Sequence, residues 1–158
     1  LINFATLYFV FHSDDSKKVE RIHKELNSKG FKILKNIPKE TSLRKDKISH
    51  FNTAIDEASN EGSVLIFLSK NVLNSNGFWK QKELILNNKN KEFIIPIVLD
   101  DVPLDEFPAF KNSKYLVKLD ISINRKKNLT NDIFEISKKI DLVIKDKTSS
   151  KDPINRRV

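Results

Sequence analysis

Thr6-Leu7-Tyr8-Phe9-Val10-Phe11 is a continuous aromatic and β-branched run, the pattern of a strand covered on both faces rather than of one half exposed. Such a strand needs a layer on each side, so the run predicts a central strand of a parallel sheet with helices above and below. It ends in His12-Ser13-Asp14-Asp15-Ser16, a polar loop that also supplies an N-cap for a following helix. From 17 to 28, Val19, Ile22 and Leu26 recur at three and four residues while Lys, Glu and Arg fill the other positions. That spacing predicts an amphipathic helix, closed by Gly30.

The pattern repeats along the chain. Phe31-Lys32-Ile33-Leu34 reads as a short second strand, and residues 35–47 as a long polar loop with Pro38 inside it and Leu43-Arg44 near its tip. Loops of that length are usually functional or mobile. Helical periodicity returns over 48–59 through Ile48, Phe51, Ile55 and Ala58, and Gly62 punctuates. Ser63-Val64-Leu65-Ile66-Phe67-Leu68-Ser69 predicts a third, buried strand. Asn74, Ser75 and Gly77 then make a turn and offer a cap to a helix over 78–88. Phe93-Ile94-Ile95-Pro96-Ile97-Val98-Leu99 predicts a fourth strand, in which Pro96 implies a bulge or early fraying. An acidic loop over 100–110, a short fifth strand over 115–119 and a closing helix over 129–144, with Ile133, Ile136, Ile140 and Ile144 on one side, complete the globular part. Residues 1–147 read as one domain, and 148–158 as a polar, basic tail or linker.

The 158 residues, 39% hydrophobic with 11 Phe, suit a single globular domain with a substantial core. No apolar run reaches membrane-spanning length and no secretory signal pattern is present, so a cytoplasmic protein without membrane contact is expected. Zero cysteines exclude disulfides, thiolate metal sites and cysteine nucleophiles. The absence of Met suggests a segment of a longer polypeptide. A net charge of +8 would permit contact with anions, but the lysines are spread without an aromatic platform, so direct nucleic-acid binding is not expected.

Strands alternating with helices predict an α/β, flavodoxin-like three-layer sandwich: a five-stranded parallel sheet of order 2-1-3-4-5 with helices on both faces. In such a sheet ligands bind outside the carboxyl ends of the strands where the order reverses, here between strands one and three. His12, Ser13 and Asp14 fall on one wall of that crevice and residues 69–83 on the other, with the 35–47 loop able to close over it. Trp79 and Glu83 stand four apart, so on a helix they share a face. Taken alone, Trp79 reads as core and Glu83 as the solvated partner of Lys80 or Lys82; their place in the chain brings in a ligand-facing reading.

Phe9-Val10-Phe11-His12-Ser13, Val64-Leu65-Ile66-Phe67-Leu68-Ser69, Trp79-Lys80-Gln81-Lys82-Glu83-Leu84 and Phe93-Ile94-Ile95-Pro96-Ile97 together resemble a Toll/interleukin-1 receptor (TIR) domain of the bacterial type. They match, in order and spacing, its first box, its third strand, its Trp-x-x-x-Glu-Leu motif and its Ile-Pro-Ile fourth strand. The resemblance spans about residues 6–144. Residues 35–47 correspond to the family's BB loop, but lack its usual Gly near the end and its acidic residue at Lys35 or Asn36.

The resemblance implies an NAD+ nucleosidase: a hydrolase that releases nicotinamide, acts in antiviral (antiphage) defence and is activated by assembly. Hydrolysis and cyclisation both stay open. Glu83 is the implied catalytic carboxylate, and Trp79, His12, Ser13, Asp14, Lys35, Arg44 and Ser75 the implied substrate-binding residues. The alternative readings of the residues are a buried His12 at the edge of the core, Ser13 and Asp14 as the cap of the first helix, and Arg44 as a solvated charge. NAD+ would be substrate and not cofactor, since no Gly-rich phosphate loop is present, and no metal is expected. The implied partners are other TIR domains, by self-assembly, and a sensor domain or partner protein. A non-catalytic TIR scaffold is the alternative. A nucleoside-processing enzyme fits the motif order less well, and a phospho-receiver is disfavoured because Leu68-Ser69 offers no Asp at the end of the third strand.

Overall fold

The structure, a computed structural model, describes residues 6–36, 62–75, 93–119 and 125–150, with the backbone alone for 35–36, 125–128 and 150. Strands β1 (Thr6–Val10), β2 (Lys32–Asn36), β3 (Ser63–Leu68), β4 (Ile95–Val98) and β5 (Val117–Lys118) form one parallel sheet in the order β2-β1-β3-β4-β5. This is the expected flavodoxin-like arrangement. The predicted helices over 48–59 and 78–88, and most of the 35–47 loop, lie outside the described residues.

Successive residues of a strand face opposite ways, and both faces of this sheet find apolar partners. Leu7, Phe9, Leu65, Phe67, Ile95 and Ile97 pack on one face with helices α1 (Ser16–Ser28) and α2 (Arg125–Ser150). Tyr8, Val10, Val64, Ile66, Leu68 and Val98 pack on the other with Val72, Val102, Phe107 and Phe110. Every residue of β1 and β3 is buried. The Phe67 ring meets Phe9 edge-on at 5.0 Å and Phe11 at 6.3 Å, an arrangement aromatic quadrupoles favour. Each such side chain contributes about 1.5–3 kcal/mol through burial.

α1 buries Val19, Ile22 and Leu26, as their spacing predicts. It stops where Gly30 takes φ 102°, a conformation other residues rarely adopt. Gly30 N–H donates to the Asn27 carbonyl and Phe31 N–H to that of Leu26, which satisfies two of the last free carbonyls. Phe31 then packs against the core and directs the chain into β2.

Pro96 causes no bulge. β4 runs in continuous register with β3 from Leu65↔Ile95 to Leu68↔Val98. In a parallel strand alternate residues turn N–H and C=O toward the same neighbour. Leu99 N–H reaches Leu68 on the β3 side, so Pro96, three residues earlier, turns its missing donor toward β5. Pairing with β5 begins only at Ile97, and no ladder bond is lost.

α2 begins before the predicted residue 129 and runs on to Ser150. Its apolar face is Ile133, Ile136, Ile140 and Val143, and its carboxyl end is tied to the amino ends of the strands. Lys147, 6% exposed, donates to the Gly62 carbonyl at 2.5 Å and lies 5.5 Å from the Phe93 ring centre. Gly62 admits no side chain, because a Cβ there would lie 1.8 Å from the Thr6 carbonyl oxygen. The Tyr115 hydroxyl donates to Asp146 at 2.5 Å, and Lys114 pairs with the same carboxylate at 2.9 Å. Among the described residues no helix is long and apolar enough to cross a membrane.

Burial first, and then the bond to Asp146, pushes the Tyr115 hydroxyl up to about 12. A raised value means the folded chain holds this proton after the unfolded chain has lost it. The stability so gained is full below about pH 10 and is lost as pH rises toward the folded value. Thermal melting between about pH 10 and 12 is therefore expected to fall more steeply for wild type than for Tyr115→Phe, which has no proton to lose.

Candidate functional site

The sheet order reverses between β1 and β3: the chain leaves β1 toward β2 on one side and leaves β3 toward β4 on the other. The loops after these two strands must diverge, which opens a crevice at their carboxyl ends. One wall is a 3-10 turn, Ser13–Asp15, that links β1 to α1. The other is Ser69 with a second 3-10 turn, Lys70–Asn74, ending at Ser75.

His12 opens the first wall and is 5% exposed. Its Nδ1 accepts the Asp14 backbone N–H at 3.0 Å, and its carbonyl accepts the Asp15 N–H at 2.9 Å. Nδ1 is thus committed to the turn, and in the neutral ring the proton sits on Nε2. Ser13 and Asp14 are exposed at the rim. Neither caps α1: the residue at the N-cap is Asp15, whose side chain makes no capping bond. It is His12 that caps, and what it caps is the 3-10 turn.

Asp15 is 3% exposed and crosses the crevice. One carboxylate oxygen accepts the Ser69 hydroxyl at 2.5 Å, the other the Asn71 amide at 2.8 Å. Ser69 is fully buried and Ser75 nearly so, at 1%. The two loops that diverge from the sheet are thereby joined by a polar bridge just outside the strand ends.

Farther along the same edge, Asp100 follows β4 and accepts the backbone N–H groups of Lys70 at 3.0 Å and Val102 at 3.0 Å. Lys70 pairs with Asp101 at 2.8 Å. That hydrogen bond, and then the charge behind it, hold Asp101 below the usual carboxylate range. A cavity of about 500 Å³ lies beside these groups, bordered also by Asp105, Lys111 and Lys118. Lys111 and Asp105 form an ion pair, so among the charged groups that line the cavity Asp105 and Lys111 are spent on each other, Asp101 on Lys70 and Asp100 on backbone. Among the described residues no group of three or more His, Asp or Glu is arranged to hold a metal ion.

His12, Ser13 and Asp14 therefore gather at the end of β1, and Ser75 ends the turn that leaves β3. Lys35 lies in β2, in register with Phe9. Glu83, Trp79 and Arg44 lie outside the described residues. Asp15, Ser69 and Asn71 were not singled out from sequence, although Asp15 and Ser69 each follow a strand predicted to border the switch. A family model described as "TIR domain" matches residues 8–131. No curated protein and no solved structure matches the chain.

His12→Ala is expected to lower the free energy of unfolding by about 1–3 kcal/mol, because the Asp14 N–H loses its acceptor. His12→Asn, with an oxygen able to take that N–H, is expected to recover part of the loss in urea denaturation.

Proposed function

The chain belongs to the TIR domain family, and on that premise we propose that it is an NAD+ glycohydrolase, with Glu83 its catalytic carboxylate, serving bacterial antiphage defence and active when assembled. The observation that supports this best is the crevice where the sheet order reverses. It is rimmed by exposed Ser13 and Asp14, and the chain passes from its second wall at Ser75 straight into the segment that contains Trp79 and Glu83.

The chemistry asks little of the protein. In NAD+ the nicotinamide ring already carries a positive charge, so when its bond to ribose C1′ breaks the electron pair neutralises the ring. No general acid is needed, unlike the two-carboxylate scheme for alkoxide leaving groups. Positive charge develops on the ribose, and one desolvated carboxylate stabilises it electrostatically. Glu83 supplies that charge and holds the ribose hydroxyls, and Trp79 offers a ring face for stacking. Water, or an internal acceptor in cyclisation, then captures C1′ and loses its proton to solvent. In this reading Ser13, Asp14 and His12 meet ribose or phosphate, and Lys35 and Arg44 the diphosphate. Assembly with other TIR domains, driven by a sensor domain or partner protein, completes the site.

Concentrated or artificially clustered protein is expected to release nicotinamide from NAD+, and Glu83→Ala to abolish the release while the melting curve stays near that of wild type. Chromatography distinguishes ADP-ribose from a cyclic product. Equal inertness of clustered wild type and Glu83→Ala would replace this reading with that of a non-catalytic scaffold.

A further inference from the structure

We infer that Asp15 is a positioning residue: by bridging Ser69 and Asn71 it sets the base of the segment that carries Trp79 and Glu83, an inference that rests on Glu83 being the catalytic carboxylate. The first sign is a broken local preference. Asp at a helix N-cap ordinarily accepts an N–H of its own helix. Asp15 stands at the N-cap of α1 and makes no such bond. Its carboxylate turns instead to the loop after β3, a separation of 54 residues to Ser69 and 56 to Asn71. Local rules given up in favour of a long-range contact are found most often at functional sites.

The second sign is the choice of group. A carboxylate is acceptor-only, so both partners must donate: Ser69 its hydroxyl hydrogen, Asn71 its amide nitrogen. That fixes the rotor of one and the amide orientation of the other. Both donors are neutral. Asn71 lies within the 3-10 turn Lys70–Asn74, so the bridge holds the turn that precedes the Trp79–Glu83 segment in the chain. On the other side it holds the turn bearing Ser13 and Asp14. One side chain thus sets the spacing of the two walls.

The test compares clustered wild type with Asp15→Ala, Asn71→Ala and Asp15→Asn, using NAD+ as substrate. In Asp15→Ala and Asn71→Ala kcat is expected to fall about tenfold or more with KM within about twofold, since a displaced reacting group slows the chemical step more than it weakens binding. Asp15→Asn keeps the shape, and its amide can accept from Asn71 while donating to Ser69 oxygen. It is expected to restore kcat to within about threefold of wild type, which a role resting on bulk charge would not allow. Asn71 is exposed, so Asn71→Ala removes no buried volume and keeps the comparison valid if Asp15→Ala fails to fold.

A second readout needs no catalysis. Trp79 is the chain's one tryptophan, and acrylamide quenching of its fluorescence is expected to rise in Asn71→Ala and return to the wild-type level in Asp15→Asn. Folded Asn71→Ala with wild-type kcat and wild-type quenching overturns the inference. If clustered wild type and Glu83→Ala both release no nicotinamide, the glycohydrolase reading falls by itself. Quenching then decides the bridge: raised in Asn71→Ala it sustains the tie between Asp15 and the segment, and unchanged it removes it.

Discussion

Burial of β1 and β3 on both faces is the constraint from which the rest of this molecule follows. No residue of either strand is exposed, and a backbone so enclosed must satisfy its polar groups within the sheet. The polar side chains these two strands carry are Thr6 and Ser63, each the first residue of its strand, and Tyr8, whose ring joins the core. Among the described residues, the polar contacts that tie one element to another gather at two edges of the sheet.

Those edges differ in character. At the amino ends the polar groups fasten α2: Lys147 to the Gly62 carbonyl, and Tyr115 with Lys114 to Asp146. Gly62 is there because the start of β1 leaves no space for a side chain. This edge holds the long closing helix over the core built from Phe9, Phe67 and Ile97. At the carboxyl ends polar groups join loop to loop, as Asp15 does with Ser69 and Asn71, and Asp100 with Lys70 and Val102. At the second edge exposed hydroxyl and carboxylate groups, those of Ser13 and Asp14, stand beside the break in strand order.

The functional proposal and the fold are linked through that break. A crevice arises because consecutive strands depart to opposite sides, a consequence of topology that needs no special residue. What makes it useful is that the walls are held at a set distance. In this chain a buried carboxylate carried by one wall, that of Asp15, bonds to Ser69 and Asn71 of the other, and it lies next in sequence to the residues that face outward. Catalysis that depends on one preorganised charge gains most from such support, because its electrostatic effect depends on placement.

The apolar runs of β1 and β3, the spacing of Val19, Ile22 and Leu26, and Gly30 after them were enough to determine the sheet class, the strand order and the first helix, since burial and periodicity are local properties read over a few residues. The motifs that mark the family are likewise contiguous. The harmless place of Pro96 was decided only by which neighbour its backbone faces, and the extent of α2 to Ser150 only by anchors such as Lys147. His12 was legible as a residue at the edge of the core, but not as the acceptor of the Asp14 N–H. Asp15 looked like one more loop carboxylate. Its partners are 54 and 56 residues away and the partner of Lys147 is 85 away, and hydrogen bonds between groups so distant in the chain leave no periodic trace in sequence. They exist only once the strands have brought those groups to the same edge.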